Sequence, residues 1–102
     1  MDILNNKDIT VHTLRPSEEL TSKIGEGAGC TAEEIEEMRP VAAGNPGAMN
    51  YLLELRKHFI PLDFKIVLSC LKTQNIVGPD FYLFVKNRGV DKAVKEMEGA
   101  WL

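Results

Sequence analysis

The sequence predicts a mainly α-helical protein, a compact bundle of about four to five short helices with an extended N-terminal arm or a single short strand. Apolar residues recur at helical spacing through the C-terminal two-thirds of the chain, and helix-start signals precede these stretches. The length of 102 residues suits one domain. Within it we expect an acidic arm with a short helix over residues 1–30 and a helical core over residues 31–102.

The N-terminal region carries the only strand-like pattern. Residues 9–14 alternate apolar and polar side chains and are rich in β-branched types. Because one strand needs a partner, this segment either pairs with its copy in another subunit or lies on the helices as an arm. A short helix is predicted from Pro16 to Ile24, closed by Gly25, with a flexible loop over residues 25–29.

Two signals bound the next helix. Thr31 and Glu34 have the spacing of a capping box, in which each side chain accepts a hydrogen bond from the other residue's backbone N–H. Pro40 is predicted to end this helix by displacing Arg39 from helical geometry. Residues 41–44 are therefore interpreted as a linker.

Asn45 and Pro46 supply the strongest start signal, an N-cap side chain followed by proline at the first helical position. The predicted helix runs to Phe59 and stops at Pro61. One face carries a broad apolar stripe, as expected for a helix docked on a core. The stripe consists of Ala48, Met49, Leu52, Leu53, Leu55 and Phe59.

Three more helices are predicted in the C-terminal part. The first runs from about Asp63, with a core stripe at positions 64, 67, 68 and 71, to a left-handed Asn75. The second starts at Gly78 and Pro79, and its apolar run 81–85 requires cover on more than one side. The last starts near Val90 and buries Ala93, Val94 and Met97, after which Gly99 releases a tail.

The net negative charge of the chain argues against binding to nucleic acid. Residues 63–88 have the outline of a helix-turn-helix, so a DNA-binding regulator is one alternative. However, the chain has a net charge of −3, and the apolar run 81–85 offers no polar side chains to base edges. Residues 1–40 carry nine acidic against four basic residues. A nucleic-acid partner is therefore not expected.

No catalytic or metal-binding pattern is present in the sequence. Cys30 and Cys70 lie far apart and form no CxxC motif, so both are interpreted as reduced thiols, with Cys70 buried in a helix. Cys30 precedes a helix N-terminus, but neither His12 nor His58 stands in a relation to it that suggests a dyad. We expect no enzyme activity, no metal and no cofactor.

The best small-ligand candidate is the turn around residues 44–50, where small residues leave backbone N–H groups at a helix N-terminus open to an anion. Basic side chains further along this helix, or from a neighbouring subunit, would add positive charge. The predicted anion-binding residues are Asn45, Gly47, Ala48, Arg56, Lys57 and Arg88.

Large apolar side chains exceed what one small domain is expected to bury. This surplus predicts contact with another chain, most simply a closed, symmetric homo-oligomer. The predicted interface residues are Tyr51, Tyr82, Phe84 and Trp101.

Three runs of the sequence carry a resemblance: GAGCTAEEIEEMRPV, NPGAMNYLLEL and NIVGPDFYLFVKNRGVDKAVKEM. In order and spacing they resemble small accessory proteins of phages and prophages. The resemblance implies a protein that binds and modulates a host protein. The alternative is a sponge that sequesters a phosphorylated nucleotide-type signal and counters host defence.

Location is predicted from what the chain lacks. No apolar run approaches the roughly 20 residues of a membrane span, and the first residues lack the pattern of a signal peptide. We therefore expect a cytoplasmic protein without a membrane partner, located in the host cell if a phage encodes it.

Overall fold

The computed structural model describes residues 16–102. The predicted strand or arm over residues 9–14 lies outside the described residues. Six helices follow in order: α1 (Pro16–Gly27), α2 (Ala32–Ala42), α3 (Pro46–His58), α4 (Pro61–Thr73), α5 (Pro79–Arg88) and α6 (Val90–Trp101). The predicted helical class is confirmed, although the described part alone contains six helices instead of about four to five.

Helix α3 lies at the centre of the fold and contacts each of the other five helices. Its start is as predicted: Pro46 is the first residue, and the Asn45 side chain accepts a hydrogen bond from the Ala48 N–H at 2.9 Å. Leu52 and Leu55 are both fully buried. A helix with apolar residues on a broad face can serve as the axis on which the others pack.

Helix α2 confirms one prediction and corrects another. The capping box between Thr31 and Glu34 is present with both hydrogen bonds. The prediction that Pro40 ends the helix is wrong, because α2 continues to Ala42. Proline in the last turn removes one backbone hydrogen bond, whereas continuing the helix buries Val41 and Ala42 completely. Residues 41 and 42 thus belong to the core and not to a linker.

Two glycines that were predicted to end helices lie inside them. Helix α1 passes through Gly25 to Gly27, and Gly25 is buried against neighbouring helices. A Cβ at this position would lie 2.8 Å from Met49 Cε and 3.0 Å from Ile35 Cγ1. Helix α6 likewise continues through Gly99 to Trp101, so the predicted free tail is wrong.

The C-terminal helices bury the predicted stripes. Helix α4 starts at Pro61, two residues before the predicted position, and Asn75 has the predicted positive φ of 59°. Helix α5 buries Phe81 and Val85 completely, whereas Leu83 on the same helix is 48% exposed. Cover of α5 is therefore incomplete on the side of Leu83. None of the helices between residues 16 and 102 has the length and apolar character needed to cross a membrane.

Candidate functional site

An open groove runs along α3 beside α5, and we call it the tyrosine groove. Its volume is about 500 Å³. It is lined by Ala28, Gly47, Asn50, Tyr51, Leu53, Glu54, Lys57 and Tyr82. Four residues predicted as ligand-binding or interface positions, Gly47, Tyr51, Lys57 and Tyr82, thus meet at one surface.

The Tyr82 ring lies beside Tyr51 and directly over Gly47. The centroids of the two tyrosine rings lie 5.3 Å apart with the planes tilted by 40°. A Cβ on Gly47 would lie 2.6 Å from Tyr82 Cε1, so only glycine lets this ring rest on the first turn of α3. Lys86 Nζ lies 5.6 Å from the centre of the Tyr82 ring, a cation–π distance.

The remaining predicted anion-binding residues are engaged elsewhere. The Ala48 N–H donates to the side chain of Asn45, which leaves this donor occupied. Arg56 pairs with Glu34 across the fold, and Arg88 Nε donates to Glu96 Oε1 at 2.9 Å. Of the cations predicted for this site, only Lys57 lines the groove, and its Nζ lies 3.5 Å from Glu54 Oε2.

Phe84 and Trp101, the other predicted interface residues, line a small recess of about 160 Å³ near the end of α6. Both side chains are half-buried and pack against the core. The Arg88 guanidinium lies 4.0 Å from the centre of the Phe84 ring and covers one of its faces. Less aromatic surface is therefore open to a partner than the sequence suggested.

A second cleft lies between α2 and the corner at which α3 meets α4. Its volume is about 350 Å³. It is lined by Glu33, Glu34, Glu37, Arg56, Phe59, Pro61, Phe64 and Lys65. We call it the glutamate cleft. The sequence did not predict it, because its residues come from three helices. The one available signal was the spacing of Glu33 and Glu37, which places both on the same face of α2.

A bidentate ion pair lies in the glutamate cleft. Arg56 Nε and Nη2 each donate to Glu34 at 3.1 Å, while the Thr31 N–H donates to the same carboxylate at 2.8 Å. The Thr31 hydrogen bond, followed by those from Arg56, holds the pKa of Glu34 below its ordinary value despite partial burial. Glu34 thus links the start of α2 to α3.

Cys30 lies near this pair. Burial raises the pKa of its thiol, and the positive charge of Arg56 opposes that effect only in part. A raised thiol pKa leaves less of the reactive thiolate at neutral pH. Cys30 and Cys70 are both free and half-buried, so Cys70 is less deeply buried than its sequence context suggested.

Replacing Glu34 with glutamine is expected to lower the free energy of unfolding by about 1 kcal/mol at neutral pH. Glutamine can still complete a capping box, so the loss reports the ion pair with Arg56. Because the pKa of Glu34 is lowered in the folded state, this stabilisation is present above the ordinary carboxyl pKa and is lost as pH falls through the folded-state pKa. Urea unfolding measured across a pH series checks this.

The control is Glu98→Gln, which removes an exposed carboxylate that takes part in none of the ion pairs found within residues 16–102. It should leave stability nearly unchanged. If the destabilisation by Glu34→Gln persisted unchanged in strong acid, the carboxylate charge would not be its cause.

No group of three or more His, Cys, Asp or Glu residues that could hold a metal ion is found within the part of the chain that the structure describes. The chain matches no protein-family model, no curated protein and no solved structure.

Proposed function

We propose that this chain is a non-enzymatic accessory protein that acts by binding other proteins, including its own copies. The resemblance to phage accessory proteins implies the binding of a host protein, and the surplus of apolar side chains predicts the binding of other copies. The observation that supports it most directly is a group of exposed aliphatic side chains where α3 meets α4. We call Ile60, Leu62 and Ile66 the corner patch.

The side chains of the corner patch are large and open to solvent. Ile60 is 62% exposed, Leu62 is 64% exposed and Ile66 is 38% exposed. Leu62 and Ile66 are four residues apart on α4 and therefore lie on the same face, and Ile60 immediately precedes the helix. Single exposed apolar residues are ordinary, but adjacent ones favour a contact surface.

The corner patch differs from the interface that the aromatic surplus predicted. Tyr51, Tyr82, Phe84 and Trp101 are half-buried, so they supply the rim of recesses and not a broad apolar face. Ile60, Leu62 and Ile66 are each exposed to a larger fraction than any of these aromatic side chains. We therefore propose that self-association uses the corner patch, in a closed and symmetric arrangement.

The nucleotide alternative has less support. A phosphate site needs several unpaired donors directed at one point. Around Gly47, the nearby Ala48 N–H is capped, Lys57 is near Glu54, and both Arg56 and Arg88 pair with carboxylates. The DNA alternative is also disfavoured, because Phe81 and Val85 turn one side of α5 into the core.

Sedimentation velocity over a range from low to high micromolar concentration tests the proposal. The wild-type chain should sediment as an oligomer. The double variant Leu62→Ser/Ile66→Ser should associate more weakly and therefore dissociate at a higher protein concentration than the wild type. The matched control is Leu20→Ser/Leu83→Ser, which alters two equally accessible leucines on other helices and should leave the oligomer intact.

A wild-type chain that is monomeric at every concentration would contradict self-association. Dissociation by the control variant alone would place the contact elsewhere. Thermal unfolding with added nucleotides serves as a counter-test, since a ligand at a hundred times its dissociation constant adds about 2.7 kcal/mol of apparent stability. Such a shift would favour the nucleotide alternative instead.

A further inference from the structure

The glutamate cleft has the charge and shape of a receptor for a basic side chain. Its lining combines three apolar residues, Phe59, Pro61 and Phe64, with three glutamates from α2. Its volume of about 350 Å³ falls in the range of about 300–1,000 Å³ found for ligand pockets. Apolar residues beside carboxylates suit a side chain with an aliphatic stem and a cationic head.

Not all three carboxylates are available to a ligand. Glu34 already accepts from the Thr31 N–H and from two N–H groups of Arg56. No ion pair among residues 16–102 involves Glu33. Glu37 has only Lys65, whose exposed Nζ lies 3.5 Å from Glu37 Oε2. Glu33 and Glu37 therefore retain acceptor capacity at the mouth of the cleft.

The cleft adjoins the corner patch. On α4, Pro61 and Lys65 line the cleft, while Leu62 and Ile66 occupy the next row around the helix, about 100° away. A bound segment that inserts a cationic side chain into the cleft would thus place neighbouring apolar side chains over Leu62 and Ile66. Its chemistry is that of an amphipathic segment with basic side chains beside an aliphatic face.

We propose that the glutamate cleft and the corner patch together bind an arginine-bearing amphipathic segment of a different protein, with Glu33 and Glu37 accepting from the guanidinium. Because self-association would cover the same corner patch, this segment competes with a second copy of the chain for it. This inference rests on the proposed protein-binding function and names the chemistry of the partner. Arginine suits the site better than lysine, because its planar head can bridge two carboxylate oxygens.

A second copy of this chain is a poor source for that segment. None of the six described helices carries more than one positive charge in excess of its acidic residues. Helices α5 and α6 hold four basic residues, and these are balanced by Asp80, Asp91, Glu96 and Glu98. Charge complementarity to Glu33 and Glu37 therefore points to another protein.

Fluorescence anisotropy with three labelled model peptides tests the inference. The first repeats leucine and arginine with helical amphipathic spacing, the second has lysine in place of every arginine, and the third has glutamate. The wild-type chain should bind the arginine peptide most tightly, the lysine peptide less tightly and the glutamate peptide not measurably. Binding should weaken as salt is added, because the pairs are partly exposed.

Matched variants separate the cleft from general charge attraction. Glu33→Gln/Glu37→Gln should weaken binding of the arginine peptide about tenfold, the loss expected for one charge-assisted pair. The control Glu19→Gln/Glu98→Gln changes net charge by the same amount at exposed glutamates outside the cleft and should retain wild-type affinity. Leu62→Ser/Ile66→Ser should weaken binding of all basic peptides.

The outcomes distinguish this inference from the proposed function. Equal losses in the cleft and control glutamate variants, or equal affinity for the glutamate peptide, would overturn the role of the cleft. If in that case Leu62→Ser/Ile66→Ser still disrupted self-association, the proposed self-association would stand although the cleft does not bind arginine. If the wild-type chain is monomeric and still binds the arginine peptide more tightly than the other two peptides, the role of the cleft is supported and self-association is contradicted.

Discussion

Replacing Phe81 with alanine is expected to lower the free energy of unfolding by about 3–5 kcal/mol. Phe81 is completely buried in the first turn of α5, the helix that packs on both α3 and α6. Its removal leaves a cavity between helices that are joined by short connections and cannot easily close it. Since small domains are stable by only about 5–15 kcal/mol, such a loss approaches the total.

The control lies on the same helix. Leu83 is 48% exposed, so Leu83→Ala should change stability by less than about 1 kcal/mol. Urea unfolding of both variants, followed by far-UV circular dichroism, gives the comparison through the transition midpoints. Similar midpoints for the two variants would mean that α5 does not insert Phe81 into the core as described.

The sequence predicted correctly those features of the fold that neighbouring residues determine. The capping box at Thr31, the Asn45 cap before Pro46 and the left-handed Asn75 depend on a few neighbouring residues, and all three are present. Buried stripes at helical spacing also appear on α4 and α6. These features can be read from sequence because the backbone and its nearest side chains determine them.

Helix ends were predicted less well where tertiary packing decides them. Pro40, Gly25 and Gly99 each look like a helix stop, yet each lies inside a helix. At Pro40 the burial of Val41 outweighs one lost hydrogen bond. At Gly25 the missing Cβ is needed for close contact with Met49. A pattern along the chain does not contain these contacts.

The candidate sites show the same limit. Arg56 was predicted to add positive charge to an anion site at the N-terminus of its helix, but its partner is Glu34, 22 positions earlier. No spacing rule along a helix relates residues so far apart. Gly47 and Tyr82 were assigned to different roles, and the structure makes them one contact. The composition of the candidate sites therefore depends on which faces the helices bring together.

Gly47→Ala is the second substitution with a large expected effect, because its new Cβ would lie 2.6 Å from Cε1 and 2.7 Å from Cδ1 of Tyr82. The ring must leave its place on α3, which separates it from Tyr51 and reshapes the tyrosine groove. We expect a loss of about 1–3 kcal/mol from overpacking. The readouts are urea unfolding and the near-ultraviolet circular dichroism of the tyrosine pair.

Gly99→Ala is the matched control, since a Cβ at that helical position has nothing within 4 Å. It should stabilise the chain by about 0.5–1 kcal/mol, because alanine replaces glycine in a helix without a clash. The two substitutions therefore have opposite signs although their chemistry is the same. Adding Tyr82→Ala to Gly47→Ala should remove the overpacking cost of the first change, so the two effects should not add. Additive losses would mean that the cost at Gly47 arises in the backbone of α3 and not at the tyrosine ring.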